Sequence, residues 1–307
     1  MADTNTIIGS RDDLVTDVSR CLRMRYSESS CCHCVDSCPH GAVTLDGGLA
    51  INRELCRGCL LCTAVCPAGA LEQHGNFDAC LSQLSRVPEP VLGCPRTKAC
   101  ANVTMACLGG LSEEHLLALC HTVTGRLTLN LSACTDCPNS AIISPLRQRL
   151  TALSSSGLLE NGCQIVIAEK VAQIDFRDES VNRRSFFASF RDSLFKSANA
   201  VLSPNDEPAE RRTEYALKRL PARRKLLNRT VARLADEVKI PLLGRYEHQI
   251  SFSGSCTACQ GCVAICPAGA LSTNTPTDHP QFDPQRCTGC GLCVEFCLDG
   301  TLELKKP

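Results

Sequence analysis

The chain has 307 residues, of which 44% are hydrophobic, yet aromatics make up only 4% and tryptophan is absent. Lysine plus arginine (32) balance aspartate plus glutamate (32), so no global field argues for nucleic acid or a membrane surface as partner. That length allows two or three domains, and 25 cysteines in so aromatic-poor a chain point to modules held by metal–thiolate bonds more than by a large apolar core.

The first fourteen residues, MADTNTIIGSRDDL, contain no apolar signal core and no twin arginine, and no run approaches a membrane span. Most cysteines fall in Cys-x2-Cys clusters, too close together for a disulfide framework. The expected compartment is a reducing cytoplasm.

In chain order, residues 1–79 read as a first module. It holds Cys31-x2-Cys34-x3-Cys38-Pro39, with Glu28 where a leading cysteine is due, then Cys56-x2-Cys59-x2-Cys62-x3-Cys66-Pro67. Three thiolates at this spacing wrap one [4Fe-4S] cube, and the fourth, turned away by the following proline, ligates the neighbouring cube. Cys56, Cys59, Cys62 and Cys38 therefore form one expected set. Its twin has Cys31, Cys34 and Cys66 and needs a fourth ligand. The candidates are Cys21, Cys32, Glu28, or no residue at all, which leaves a [3Fe-4S] cluster. Cys21 is favoured: it ends an amphipathic stretch (Leu14, Val15, Val18, Leu22) able to fold over the module, whereas Cys32 is out of register and a carboxylate suits harder metals. His33 and His40 lie beside the ligands, where they can tune potential by hydrogen bonding.

Residues 80–172 change character. Strand-like runs at 90–92, 103–105, 127–131 and 165–167 alternate with helical patterns opening at Ser112 and Ser144, which predicts a small parallel α/β domain. Cys94, Cys107 and Cys134-x2-Cys137 fall at the C-terminal ends of these strands, where open α/β sheets place ligands. Cys94, Cys100, Cys107, Cys134 and Cys137 are candidates for a [2Fe-2S] cluster, and the competing reading is that several are small buried hydrophobes. That second reading is preferred for Cys120 and Cys163, and Cys80 is left open.

Residues 173–245 lack cysteine and read as a helical linker or docking region. Phe186, Phe187, Phe190 and Phe195 suggest a core stripe, and the arginine-rich stretch 211–233, interspersed with Glu214, suggests a solvated helix face.

Residues 246–307 form the last module. Here Cys256-x2-Cys259-x2-Cys262-x3-Cys266-Pro267 precedes Cys287-x2-Cys290-x2-Cys293-x3-Cys297, with Leu298 in place of proline. The cross-over rule assigns Cys256, Cys259, Cys262 and Cys297 to one cluster and Cys287, Cys290, Cys293 and Cys266 to the other. Zinc ribbons use two separated pairs, not three evenly spaced cysteines followed by Cys-Pro. Cys66-Pro67-Ala68-Gly69-Ala70-Leu71 recurs as Cys266-Pro267-Ala268-Gly269-Ala270-Leu271, so the module is duplicated.

On these motifs, residues 21–72 and 250–304 resemble bacterial two-cluster ferredoxins and the ferredoxin-type subunits of larger redox complexes. The segment from Met105 to Cys137 is similar to the delta subunit of methyl-viologen-reducing hydrogenase, but has Cys94-Pro95 where that family has a doubled cysteine. The resemblance implies a small α/β protein with a two-iron cluster that links hydrogenase to heterodisulfide reductase. The expected fold is α+β: two ferredoxin-like 2[4Fe-4S] modules flanking a small α/β domain and a helical linker.

The chain shows no G-x-G-x-x-G, P-loop, H-E-x-x-H, C-x-x-C-H or acid–base pair. The expected function is a non-catalytic relay of single electrons between an oxidoreductase subunit (formate dehydrogenase, hydrogenase or flavoprotein) and a second acceptor. Two other classes compete with it: a redox enzyme using the central cysteines, and a maturation factor for a metalloenzyme.

Overall fold

The computed structural model describes residues 13–160, 162–176, 215–254, 256–275 and 277–305. The phenylalanine stripe 186–195 and residues 211–214 lie outside them.

The two ferredoxin-type regions repeat one topology. In the first, β1 (Leu14–Thr16) pairs antiparallel with β4 (Leu71–Gln73), and β2 (Val43–Thr44) pairs with β3 (Ala50–Ile51). Three short helices carry or flank the cysteines: α1 (Leu22–Arg25), α2 (His33–Asp36) and α3 (Leu61–Val65). The stretch leading to Cys21 is a strand followed by a 3-10 turn capped by Asp17, which accepts from Ser19 N at 3.1 Å.

Helix α4 (Phe77–Leu84) crosses the expected boundary at residue 79 and leads into the central sheet. Strands β5 (Val91–Gly93), β6 (Val103–Thr104), β7 (Arg126–Asn130) and β8 (Gln164–Ala168) are all parallel, in the order β6-β5-β7-β8. Leu127, Thr128, Leu129 and Asn130 are all buried, as a strand covered on both faces requires. The crossovers are α5 (Glu113–Thr122) and α6 (Ile143–Ser155). Ser112 caps α5 by accepting from His115 N at 3.4 Å, and the His115 ring accepts from Ser112 N in return.

After the central domain, α7 (Ala222–Val231) packs along α5, and α8 (Asp236–Tyr246) follows. Here the expectation of a solvated arginine face holds for Arg219, Lys225, Arg229 and Arg233, which are exposed, and is corrected for Arg223 and Arg224. Arg224 is buried and donates to the carbonyls of Gln285, Tyr246 and Pro284. Arg223 pairs with Glu114 at 3.4 Å and donates to the carbonyls of Ala64 and Cys66. Arginine's five donors let it bind several backbone carbonyls at once, which interspersed charge in a sequence does not reveal.

The second ferredoxin-type region pairs β9 (Gln249–Phe252) with β12 (Leu302–Lys305) and β10 (Leu271–Ser272) with β11 (Gln281–Phe282). Helices α9 (Gly261–Ile265) and α10 (Leu292–Glu295) carry Cys262 and Cys293, and the other cysteines flank them.

One continuous core joins the first module, the central sheet and α7–α8, with Leu71, Leu84, Leu92, Leu117, Leu129, Leu227 and Leu242 among its members. The last module has only small clusters of its own. It meets the first through Leu22, Ala68, Ile265 and Leu292, with Tyr26 edge-on to Phe296 at 5.3 Å.

Candidate iron–sulfur centres

Three ligand loops share a shape that few residues adopt willingly. Backbone φ is positive at the second and fourth positions after the leading cysteine: Gly58 and Leu60, Ala258 and Gln260, Gly289 and Gly291. For the non-glycine residues this left-handed turn costs roughly 1–2 kcal/mol each. A turn repeated in three loops, at a cost to Leu60, Ala258 and Gln260 in two of them, marks a loop whose shape serves the thiols it carries. The copy lacking its leading cysteine follows a different path, with Cys32 at φ −133°.

The thiols gather into sets. Cys38, Cys56, Cys59 and Cys62 line one cavity, walled by Leu14, Val43, Ile51 and Leu60. Cys21, Cys31, Cys34 and Cys66 line a second, walled by Leu22, Leu45, Leu49 and Ala70. Cys38 thus lines the cavity of the 56–62 run and Cys66 that of the 31–34 run, and Cys21 supplies the fourth thiol of the second cavity. Burial, reinforced by Cys66 and Cys21, pushes the Cys31 thiol to about 11 and the Cys34 thiol to about 12. Such thiols hold their protons until metal displaces them. The two sets adjoin, since Cys62 has Cys59, Cys38 and Cys56 around it and Cys34 beyond.

The rival ligands for the second set face elsewhere. Exposed Cys32 donates its S–H to Asp36 at 2.9 Å. Glu28 accepts from the Tyr26 hydroxyl at 2.7 Å. His33 lines the second cavity, while His40 bonds Asn139 at 3.2 Å and so ties the first cavity to the central domain.

In the last module Cys266, Cys287, Cys290 and Cys293 are mutual neighbours, with burial pushing the Cys290 thiol to about 12. Cys262 neighbours Cys259 and Cys256, and packs with Cys297 on Leu271, Cys293 and Leu302. Thr257 donates to Asp299 at 2.8 Å, drawing the 256–262 loop against the Cys297 turn.

The central cysteines also converge. Cys134 has Cys94 and Cys137 as neighbours, and Cys107 has Cys59, Cys134 and Cys94. The Cys100 carbonyl accepts from Asn130 at 2.9 Å. Cys120 and Cys163 are buried and donate to the carbonyls of Cys163 and Leu119. For Cys80, burial alone pushes the thiol to about 12.

The sets fit multi-iron clusters on two counts. Small residues after Cys-Pro bring backbone N–H groups onto sulfur: Ala42 to Cys38 at 3.3 Å, Ala70 to Cys66 at 3.2 Å and Ala270 to Cys266 at 3.3 Å. The thiols of the first two sets line cavity walls instead of meeting at a point; among the described residues no three His, Cys, Asp or Glu converge as a single ion needs. The arginines bonded to carbonyls around Cys66 and Cys266 are missed by sequence reasoning, since nothing in the sequence distinguishes them from surface charge.

Comparison with known proteins agrees. A 4Fe-4S dicluster domain matches residues 255–301, and a 4Fe-4S binding domain matches residues 49–72. Formate hydrogenlyase subunit 2 of Escherichia coli is 42% identical over 52 residues, covering 15% of this chain and 26% of that protein. The B subunit of anaerobic dimethyl sulfoxide reductase from Haemophilus influenzae is 34% identical over 85 residues, covering 23% of this chain and 42% of that protein. Isethionate sulfite-lyase activating enzyme of Desulfovibrio desulfuricans is 38% identical over 67 residues, covering 21% and 20%. The chain thus spans less than half the length of each of these relatives. No solved structure matches. No helix among the described residues is long and apolar enough to cross a membrane. The chain is an iron–sulfur protein with ferredoxin-type 4Fe-4S domains at residues 49–72 and 255–301.

Proposed function

We propose that this chain is an electron-transfer subunit. Four [4Fe-4S] clusters sit on the thiol sets of the two modules, and a [2Fe-2S] cluster sits on Cys94, Cys107, Cys134 and Cys137. Each module contributes the two-cluster ferredoxin fold, and the α/β domain between them carries the fifth site. The chain works between a catalytic oxidoreductase subunit, of formate dehydrogenase, hydrogenase or flavoprotein type, and a second acceptor, in the cytoplasm of an anaerobically growing cell.

The observation that carries this reading is the order of the thiol sets in space. Cys107 of the central group neighbours Cys59 of the first set, and Cys62 of the first set neighbours Cys34 of the second. Cys31 of the second set and Cys290 of the third pack on the same buried group, Leu22, Ala68, Ile265 and Leu292. Cys293 of the third set neighbours Cys262 of the fourth. Five sets, each adjoining or sharing a buried group with the next, suit a protein whose task is conduction.

Such clusters, when bound, take up and release single electrons. The protein's own share is spacing and insulation. Close spacing between the central group and the first set depends on Gly109: a Cβ there would meet the Cys59 carbonyl oxygen and, at 2.7 Å, Ile142 Cγ2. Asn139 closes the same seam by donating to the Arg57 carbonyl at 3.0 Å.

Anaerobic purification followed by iron, sulfide and zinc analysis and electron spin resonance tests the proposal. Sulfide and iron in nearly equal amounts, with cubane signals and one two-iron signal, is the expected result. Cys94→Ala abolishes the two-iron signal and Cys100→Ala leaves it intact. A colourless, zinc-loaded protein without sulfide overturns the reading.

A further inference from the structure

The two thiol sets of the last module come from one motif, yet they sit in opposite electrostatic surroundings. Around the inner set, Cys266, Cys287, Cys290 and Cys293, four cations converge from three parts of the chain. Arg25 reaches over from the first module and donates to the carbonyls of Ile265 at 2.8 Å and Ala264 at 3.3 Å, and also to those of Ser19 and Tyr215. Lys218 donates to the Ala264 carbonyl as well. Arg286 donates to the carbonyls of Ala268 at 2.7 Å and Gly269 at 2.9 Å, just beyond Cys266. Arg224, only 5% exposed, donates to the carbonyls of Pro284 and Gln285, just before Cys287.

Every one of these hydrogen bonds ends on a neutral carbonyl. The carboxylates that act on Arg25 and Arg224, Asp17 on the first and Glu114 and Glu247 on the second, do so without forming a contact ion pair. The positive charge around Cys266 is therefore not cancelled in contact ion pairs among the described residues. The outer set differs. Cys259 is exposed, Thr257 bonds the Asp299 carboxylate, and Gln260 bonds the Asp278 carbonyl at 2.7 Å. Between residues 249 and 304 the carboxylates are Asp278, Asp283, Glu295, Asp299 and Glu303, and the one arginine, Arg286, serves the inner set.

Charge and burial compete at the inner set. A thiolate-ligated cluster gains negative charge on reduction, so burial alone lowers its potential, while fixed cations nearby favour the reduced form. Buried guanidinium groups remain charged and are weakly screened by salt, so their effect persists at physiological ionic strength.

We propose that Arg25, Lys218, Arg224 and Arg286 are potential-setting residues: together they raise the reduction potential of the cluster held by Cys266, Cys287, Cys290 and Cys293, and they leave the outer cluster unaffected. Two of the four cations lie between the modules and one lies in the first module, so the inner potential depends on the two modules being docked. The inference rests on the proposed reading of these thiols as cluster ligands.

The test is a potentiometric titration of the full-length, anaerobically purified protein followed by electron spin resonance. The relevant component is identified as the one lost in Cys290→Ser. In Arg25→Gln and Arg224→Gln that component moves to lower potential, the other components stay in place, and iron and sulfide content stay at the wild-type level. Arg25→Lys, which keeps the charge, titrates close to wild type. If a glutamine variant loses iron, Lys218→Gln, which gives up one hydrogen bond at a half-buried position, reads the same downward shift. Glutamine variants that retain iron and titrate as wild type overturn the inference, as does a lysine variant that shifts as far as its glutamine counterpart. A wild-type protein without clusters instead removes the proposed function itself.

Discussion

In Cys21→Ser, the iron content falls by one cluster's worth, or one cubane signal is replaced by that of a three-iron cluster. Cys21 is 7% exposed and lines a cavity with Cys31, Cys34 and Cys66, in the half-motif that has Glu28 in place of its first cysteine. A serine hydroxyl ionises far less readily than a thiol, so the iron at that corner loses its ligand while the other three keep theirs. Cys32→Ser is the control. Its sulfur is exposed and bonded to Asp36, and the substitution leaves iron and spectrum unchanged. Wild-type iron and an unaltered spectrum in Cys21→Ser exclude Cys21 as a ligand.

Arg223→Ala destabilises the protein by about 3–5 kcal/mol, the usual penalty for removing one partner of a buried ion pair. Both side chains of the Arg223–Glu114 pair are 14% exposed, so the substitution leaves the Glu114 carboxylate without its cation in a poorly solvated place. Desolvation and Arg223 act in opposite senses on that carboxylate, and the net effect of Arg223 with Ser112 is to hold it below the usual range. The carbonyls of Ala64 and Cys66 lose donors at the same time. Adding Glu114→Gln recovers part of the loss. Arg229→Ala offers the comparison, because its pair with Asp78 is more than half exposed and is worth about 0–1 kcal/mol. Anaerobic denaturant titrations measure all three, and a loss in Arg223→Ala no larger than that in Arg229→Ala rules out the buried-pair account.

What is legible in the sequence follows from how strongly local chemistry constrains spacing. The ligand runs are legible because a cube admits few loop lengths, and the same rule brings Cys38 and Cys66 to opposite sets. The strands at 91–93 and 126–130 are legible because runs such as Leu127-Thr128-Leu129 are buried on both faces. The arginines are not legible, because the partner of a long cation is chosen by tertiary structure. Arg224 and Arg229 are five residues apart on one helix, one closed on backbone carbonyls and the other on the surface. The central cysteines fall between these cases. Their positions at strand ends are visible in the sequence, but the convergence of Cys94, Cys107, Cys134 and Cys137 is a matter of packing.

The uneven sharing of apolar residues gives the two halves different dependence on metal. The first module is built into the large common core, whereas the last relies on clusters as small as Leu271, Cys293 and Leu302, one of whose three members is a proposed ligand. For that module, coordination and folding are one process. Stripping iron with a chelator thus dismantles residues 249–305 while leaving 14–73 folded, and amide exchange accelerates in the first range well before the second. Uniform exchange across both ranges would contradict this. Damage from air would then begin at the carboxyl-terminal end and leave an intact amino-terminal body behind.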